Sequence, residues 1–136
     1  MDFQVLNWVI PGIFGIIGTL TGVFVANVFQ RRKERRDAFI DFYKAFIDII
    51  HYLHGGREHP YGVIPQMTAS HEIAKTIFQH YLRKRDVRSF DEAWNEYYGE
   101  CKKYYEPIQL KPEQWPQFQE ELLKKLNKFL AIAEQN

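Results

Sequence analysis

The residue types most often used in catalysis and metal binding are sparse in this chain, which has five histidines and one cysteine among 136 residues. His51 and His54 lie three residues apart at a predicted helix end, and His59 follows shortly after them. Three imidazoles that converge could bind a metal ion. No acidic residue or cysteine lies at a spacing that would complete a set of metal ligands. We therefore expect solvated or capping histidines, with no metal and no cofactor.

Other sequence motifs associated with catalysis are incomplete in this chain. His71 and Glu72 resemble the start of a zinc-protease pattern, but that pattern needs a second histidine one helical turn later, and His80 comes nine residues after His71. Cys101 has no neighbouring motif that would activate its thiol as a nucleophile. The acidic residues of the predicted helices are typical of outer-face and first-turn charges; they are Asp41, Asp48, Asp91, Glu92 and Glu96. We therefore predict a non-enzymatic protein.

Aromatic side chains cluster in residues 94–105 and offer a second kind of site. Trp94 and Tyr97 share a predicted helix face with apolar residues, so we assign both to the core. We expect Tyr98 and Tyr105 to form an exposed contact surface for a cytoplasmic protein partner.

Charge is distributed unevenly along the chain. Asp2 is the only ionisable residue among the first thirty, so residues 31–136 hold all 18 Lys and Arg and 16 of the 17 acidic residues, a formal charge of 18 − 16 = +2. A nucleic-acid-binding domain usually has a strongly basic face, so this balance argues against a nucleic-acid partner. The single cysteine cannot form an internal disulfide and fits a reducing compartment.

Residues 5–29 form an uncharged stretch of twenty-five residues, and a helix of about 20 apolar residues crosses a bilayer core. We predict one transmembrane helix in an anchor of residues 1–30, with a buried helix of a soluble protein as the alternative. Trp8 would lie at the outer interface, and Pro11 would begin the straight part of the helix or kink it. A cleaved signal peptide would need a basic amino end, where this chain has Asp2.

Five basic residues directly follow this stretch, and none precedes it; they are Arg31, Arg32, Lys33, Arg35 and Arg36. Because basic flanks remain in the cytoplasm, we predict a bacterial inner (plasma) membrane protein with its amino end outside. Residues 31–36 would act as a stop-transfer segment and would also contact anionic lipids of the bilayer. Residues 37–136 would form the cytoplasmic domain.

Small residues lie on one side of the predicted span. At about 100° per residue they occupy roughly one third of the helix circumference, and larger apolar residues cover the remainder. Small residues spaced four apart, as in Gly18, Gly22 and Ala26, let two helix backbones approach closely in lipid. We predict that this glycine face binds a second copy or another membrane protein; the alternative is that it meets only lipid. The glycine face consists of Gly12, Gly15, Gly18, Thr19, Gly22 and Ala26.

Apolar residues recur at helical spacing through the rest of the chain, without convincing strand alternation. We predict an all-α fold, in which the membrane helix continues as far as Gly55 and joins a cytoplasmic bundle of about four helices. Residues 57–66 and 106–116 are predicted to be connections. The second helix is expected over about residues 68–85, the third from a capping box at Ser89 and Glu92, and the last from 113 or 115 to 133.

All four helices have predicted inward stripes. The cytoplasmic part of the first helix contributes Phe39, Phe42, Phe46, Ile49, Ile50 and Leu53. The second helix contributes Ile73, Ile77, Phe78, Tyr81 and Leu82. The third contributes Phe90, Ala93, Trp94, Tyr97, Cys101 and Tyr104. The last contributes Phe118, Leu122, Leu126, Phe129, Leu130 and Ala133.

The segments SHEIAKTIFQHYL (70–82) and SFDEAWNEYYGE (89–100) resemble a pattern found in short uncharacterised single-span membrane proteins of Gram-negative bacteria. The resemblance covers roughly residues 71–98 and the arrangement of an amino-terminal anchor. It implies a helical cytoplasmic module and assigns no catalytic residues.

Three classes of function are compatible with these features. We favour a membrane-anchored interaction protein, a subunit or adaptor of a membrane-associated complex whose span associates through the glycine face. A membrane-disrupting effector, toxin-like or antiviral, is the second class, although the predicted span has no charged residue to line a conducting pore. An enzyme with an unrecognised site is the third.

Overall fold

The computed structural model describes residues 3–106 and 111–136, with side chains from residue 11 onwards, and within these ranges it confirms the all-α fold. An apolar amino-terminal helix is followed by a helical bundle. The α-helices are α1 (Phe3–Lys44), α2 (Ile47–Leu53), α3 (Pro60–Thr68), α4 (His71–Gln79), α5 (Lys84–Lys102) and α6 (Trp115–Glu134), with a 3-10 turn at Pro112–Gln114. The side chain of Trp8 and residues 107–110 of the predicted connection lie outside the described part.

The chain divides into two compact units, Met1–Arg36 and Asp37–Asn136. The first unit contains α1 up to Arg36. The second contains the last eight residues of α1 and the helices α2 to α6. We call the second unit the bundle.

The first helix ends earlier than predicted. It was expected to continue to Gly55, but it stops at Lys44, and α2 begins at Ile47. The amide groups of Ala45 and Phe46 donate to the carbonyl groups three residues before them, at 3.1 and 3.0 Å, which tightens the backbone. Phe46 at this break is fully buried, and its ring centroid lies 4.2 Å from that of His71. The helix is therefore interrupted where Phe46 packs into the core, although the apolar residues keep their helical spacing across the break.

The predicted loop at residues 57–66 is also wrong in part, because α3 occupies Pro60–Thr68. Pro60 lies at the first helical position, where a missing amide proton costs nothing. The Nδ1 atom of His59 caps this helix by accepting a hydrogen bond of 3.2 Å from the amide of Tyr61. Ile64 is fully buried, so the short helix is held by tertiary contacts despite its internal Pro65.

The second predicted helix is shorter than expected, and of its five-residue stripe only Phe78 is buried, while Leu82 is half-buried. Helix α4 ends at Gln79, and Phe78 is 3% exposed as predicted. The prediction that Ile73, Ile77 and Tyr81 face inward is wrong: they are 64%, 60% and 38% exposed. The rings of Phe39 and Phe42 from α1 and of Phe90 from α5 pack around Phe78, and they cover only one side of the apolar arc.

Helices α5 and α6 form the centre of the bundle. Helix α5 begins at Lys84, one turn before the predicted capping box, and Ser89 lies inside it. The predicted stripes of both helices are confirmed as buried. Phe129 is fully buried between them, with its ring centroid 4.7 Å from that of Phe90 and 5.6 Å from that of Phe42. At the surface, Lys125 forms an ion pair with Glu100 at 2.7 Å.

Candidate functional site

The described part of α1 before the bundle exposes large apolar side chains. From Pro11 onwards it is long and apolar enough to cross a membrane, and none of its most apolar stretch is buried. Phe14 and Phe24 are 70% and 69% exposed. In water such a surface would be strongly unfavourable, so it requires a lipid or protein environment.

The threonines of this stretch satisfy their own polar groups. The hydroxyl of Thr19 donates to the carbonyl of Gly15, and that of Thr21 donates to the carbonyl of Ile17, both at 2.8 Å. Hydrogen bonds to the preceding turn remove the cost of placing a hydroxyl in hydrocarbon. Two polar side chains are thereby compatible with a lipid-facing helix.

The glycine face lies open within its unit. A Cβ atom built on Gly12, Gly15, Gly18 or Gly22 would have no neighbouring atom within 4 Å. Thr19 and Ala26 are also exposed. Isoleucines and phenylalanines cover the rest of the circumference, so the glycine face is a shallow strip along an otherwise bulky helix.

The five basic residues within residues 31–36 lie in the same helix. Four are exposed, and Arg35 is half-buried. None of them forms an ion pair within the described ranges; the only acidic residue between them, Glu34, accepts a hydrogen bond of 3.0 Å from Gln30. Their charges are therefore available to an external anion.

The two tyrosines expected to form a contact surface are tied to the bundle. Tyr98 is half-buried and stacks on Trp94, with ring centroids 4.7 Å apart and an angle of 13° between the ring planes. The hydroxyl oxygen of Tyr105 lies 2.6 Å from Oγ1 of the buried Thr68. Tyr105 is 37% exposed, and the ammonium of Lys102 lies 4.8 Å from the ring centroid of the half-buried Tyr98.

A buried polar cluster that the sequence did not reveal links α4 to α5. His71 is fully buried, and its Nδ1 atom lies 3.0 Å from the hydroxyl oxygen of Tyr97. Burial lowers the pKa of His71 to about 4, with a small opposing effect from the backbone of Ala45. Its Nε2 atom has no hydrogen-bond partner of good geometry in the described part of the chain. The imidazole is thus neutral at physiological pH.

Tyr97, and Cys101 next to it, are also held uncharged. Burial raises the pKa of Tyr97 well above its usual value. Burial likewise raises the pKa of the Cys101 thiol to about 12, so the thiolate needed for nucleophilic attack is not formed near neutral pH. The cluster is suited to fixing the packing of α4 and α5. One signal in the sequence marks it: His71 lies on the same helical face as Phe78.

The three histidines considered for metal binding have separate environments. His54 lies at the carboxyl end of α2, and His59 caps α3 with its ring edge against Trp115. His51 is exposed. In residues 3–106 and 111–136, no group of three or more histidine, cysteine or acidic side chains is placed to bind a metal ion.

A buried glutamine joins α6 to the end of α2. The Nε2 atom of Gln119 donates to the carbonyl groups of Tyr52 at 3.0 Å and Gly56 at 2.8 Å. The Tyr52 carbonyl also accepts from the amides of Gly55 and Gly56 at the end of α2, so Gln119 adds a further donor there and supplies one to the half-buried carbonyl of Gly56. The sequence did not single out Gln119, because an isolated glutamine in an amphipathic helix is normally a surface residue.

The chain matches no family model, no curated protein and no solved structure. Function is therefore inferred from its own residues. The features that bear on it are the exposed apolar surface of α1, the glycine face and the unpaired basic segment.

Proposed function

We propose that this protein is a membrane-anchored, non-enzymatic interaction protein, a subunit or adaptor of a membrane-associated complex. The first unit is a single transmembrane anchor in a bacterial inner membrane, and the bundle lies in the cytoplasm. The span associates with a second copy or with another membrane protein through the glycine face.

The observation that carries this proposal is the open glycine face on a fully exposed apolar helix. Lipid supplies no hydrophobic drive for two helices to associate, so association depends on close packing of backbones. A strip without side chains permits that close packing. Glycine also weakens an isolated helix by roughly 1 kcal/mol per residue relative to alanine, so four glycines on one strip are a cost that an interface would offset.

The basic segment supports the anchored orientation. Positive residues on one side of a span retain that side in the cytoplasm. Each of the five exposed or half-exposed charges near an anionic leaflet would contribute about 1 kcal/mol of attraction. The segment would therefore fix the orientation of the anchor and hold the start of the bundle near the lipid.

The chemistry of the bundle supports a non-enzymatic role. Its buried histidine is neutral, its cysteine is protonated, and both lie in a packed interior. A cytoplasmic protein partner would meet the bundle at its surface, where the exposed Tyr105 and the half-buried Tyr98 are one candidate contact.

The test compares association of the span in membranes. In the variant Gly18→Ile with Gly22→Ile, branched side chains fill the strip, and a cross-linking or transmembrane-association signal should fall at least about tenfold. The matched control is Leu20→Ile with Thr21→Ile, which places two isoleucines on the remaining circumference of the same turn. The control should associate like the parent. Equal association of both variants would exclude the glycine face as the contact.

A further inference from the structure

Helix α4 carries a wider apolar arc than the bundle covers. At about 100° per residue, Ile73 and Ile77 continue the arc begun by His71 and Phe78, and Tyr81 follows in the turn after α4, where it lines the same groove. The bundle buries His71 and Phe78 and leaves the other three exposed. We call Ile73, Ile77 and Tyr81 the α4 ridge. Contiguous exposed apolar residues of this kind mark an interaction surface.

A groove of about 320 Å³ runs beside the α4 ridge. Its other wall is formed by the end of α1 and the following turn, with the small residues Ala38 and Ala45. Asp41 also lines it, and its carboxylate lies 3.6 Å from the ammonium of Lys44. The groove and ridge together form one mainly apolar surface inside the bundle unit, in which Asp41 and Ser70 are the polar lining residues.

Basic residues follow the ridge directly in the chain. Arg83 and Lys84 are exposed and form no ion pair within the described ranges. The side chain of Arg85 is 73% exposed and meets only the adjacent Asp86, at 3.6 Å. An apolar ridge with unpaired cations at its end has the character of an interfacial helix, which rests on anionic headgroups and inserts its apolar side chains.

The chain itself brings this surface near the proposed bilayer. Ala38 in the groove wall is two residues after Arg36, the last base of the juxtamembrane segment, and nine residues after Phe29. Nine residues span at most about 30 Å even when fully extended. The local concentration of lipid at the α4 ridge is therefore very high once the anchor is inserted.

We propose that the α4 ridge and residues 83–85 dock on the anionic lipid surface, so that the bundle lies against the cytoplasmic leaflet; this inference rests on the proposed membrane anchoring. A second copy fits less well. On a second copy, the exposed cations Arg83 and Lys84 would need matching acidic side chains, whereas anionic headgroups at the leaflet neutralise them directly.

The test uses the full chain in nanodiscs with single fluorophores on introduced cysteines, since the native Cys101 is buried. The labelled sites are Ile77→Cys on the ridge, Asn127→Cys on the exposed side of α6, and Leu20→Cys in the span. Quenching by headgroup-labelled and acyl-chain-labelled nitroxide lipids is measured with and without phosphatidylglycerol. With phosphatidylglycerol, we expect quenching at residue 77 to exceed that at residue 127 at least about threefold.

A charge reversal identifies the role of the cations. The variant Arg83→Glu with Lys84→Glu should reduce quenching at residue 77 to the level of residue 127. Lys111→Glu with Lys124→Glu changes net charge equally elsewhere on the bundle, and it should leave quenching at residue 77 within about twofold of the parent. Equal effects of both pairs would overturn docking through residues 83–85.

The remaining outcomes separate this inference from the proposed function. Strong quenching at residue 20 with weak quenching at residue 77 would overturn the docking and leave the anchor intact. Weak quenching at residue 20 would overturn the anchor itself. If the label at residue 77 is shielded from solvent only in nanodiscs that contain two copies, and the lipid quenchers have no effect on it, the surface binds a second copy. That result would overturn lipid docking.

Discussion

The imidazole of His71 and the phenol of Tyr97 meet at 3.0 Å in the interior of the bundle, where one residue comes from α4 and the other from α5. Both side chains are fully buried. A buried pair of this kind is stable only while the imidazole is uncharged, because the surroundings cannot solvate a cation. Tertiary packing of the bundle is therefore coupled to the protonation of one residue.

Acid should destabilise the bundle through His71. An unfolded histidine titrates near about pH 6.5, whereas the folded pKa is lowered to about 4. Above the unfolded value both states are neutral. Between the two values only the unfolded state binds the proton, so the free energy of unfolding falls as pH falls, by on the order of 3 kcal/mol in total. Urea unfolding followed by loss of helicity between pH 7 and about pH 4 measures this loss.

The control for this prediction is a pair of glutamine variants. His71→Gln removes the titrating group, so it should be less stable at neutral pH but should lose less stability on acidification than the parent. His80→Gln, at an exposed histidine, should keep the parent's pH dependence. If His71→Gln retains the full acid sensitivity, other groups cause it.

The turn after α2 should require glycine at residue 56. A Cβ atom there would lie 2.9 Å from Cε2 and 3.0 Å from the carbonyl oxygen of Tyr52, and it would also contact Cδ2 of that ring. The ring is held in place because its hydroxyl donates to the carbonyl of Glu58 at 2.9 Å. Gly56→Ala should therefore destabilise the bundle by about 1–3 kcal/mol. Urea unfolding of the full chain in detergent gives the value.

Gly99→Ala is the matched substitution, because a Cβ atom on Gly99 meets nothing within 4 Å and the residue lies inside α5. It should stabilise the bundle by roughly 0.5–1 kcal/mol through the higher helix propensity of alanine. Similar changes in stability for both variants would contradict the packing described at Tyr52.

Loss of the Gln119 side chain should destabilise the bundle, because this side chain joins α6 to the end of α2. Gln119→Ala removes two hydrogen bonds; the Tyr52 carbonyl keeps its backbone donors, whereas the half-buried carbonyl of Gly56 loses the donor from Gln119. We expect a loss of about 1–3 kcal/mol, measured by urea unfolding. Gln117→Ala, at an exposed position in the same helix, should change stability by less than about 0.5 kcal/mol. A loss at residue 117 as large as that at residue 119 would refute a specific role for these bonds.

The proposed orientation predicts the behaviour of terminal reporter fusions. A phosphatase that works only in the periplasm should be inactive when joined after Asn136 and active when joined before Met1. Replacing the five bases by glutamine should allow part of the population to invert, since nothing basic precedes the span. Activity of the carboxyl-terminal fusion in the parent chain would show that the orientation is reversed.

The sequence by itself determined the helical class, the apolar amino-terminal helix, and the buried stripes of α5 and α6. These features follow from local periodicity: a residue such as Phe129 recurs at helical spacing with its apolar neighbours, and a long helix must bury the face they share. The glycine face was visible for the same reason, since its residues are fixed on one side of α1 by helix geometry. Its association with a partner remains a prediction.

Only the tertiary structure decided where α1 ends, that residues 60–68 form a helix, and which part of α4 is covered. Each depends on contacts between residues far apart in the chain. Phe46 lies at a break where it packs on His71, and Ile77 stays outside because the bundle covers only one side of a nine-residue helix. Periodicity fixes the faces of a helix, but the number of neighbours that cover each face is set by how the elements pack.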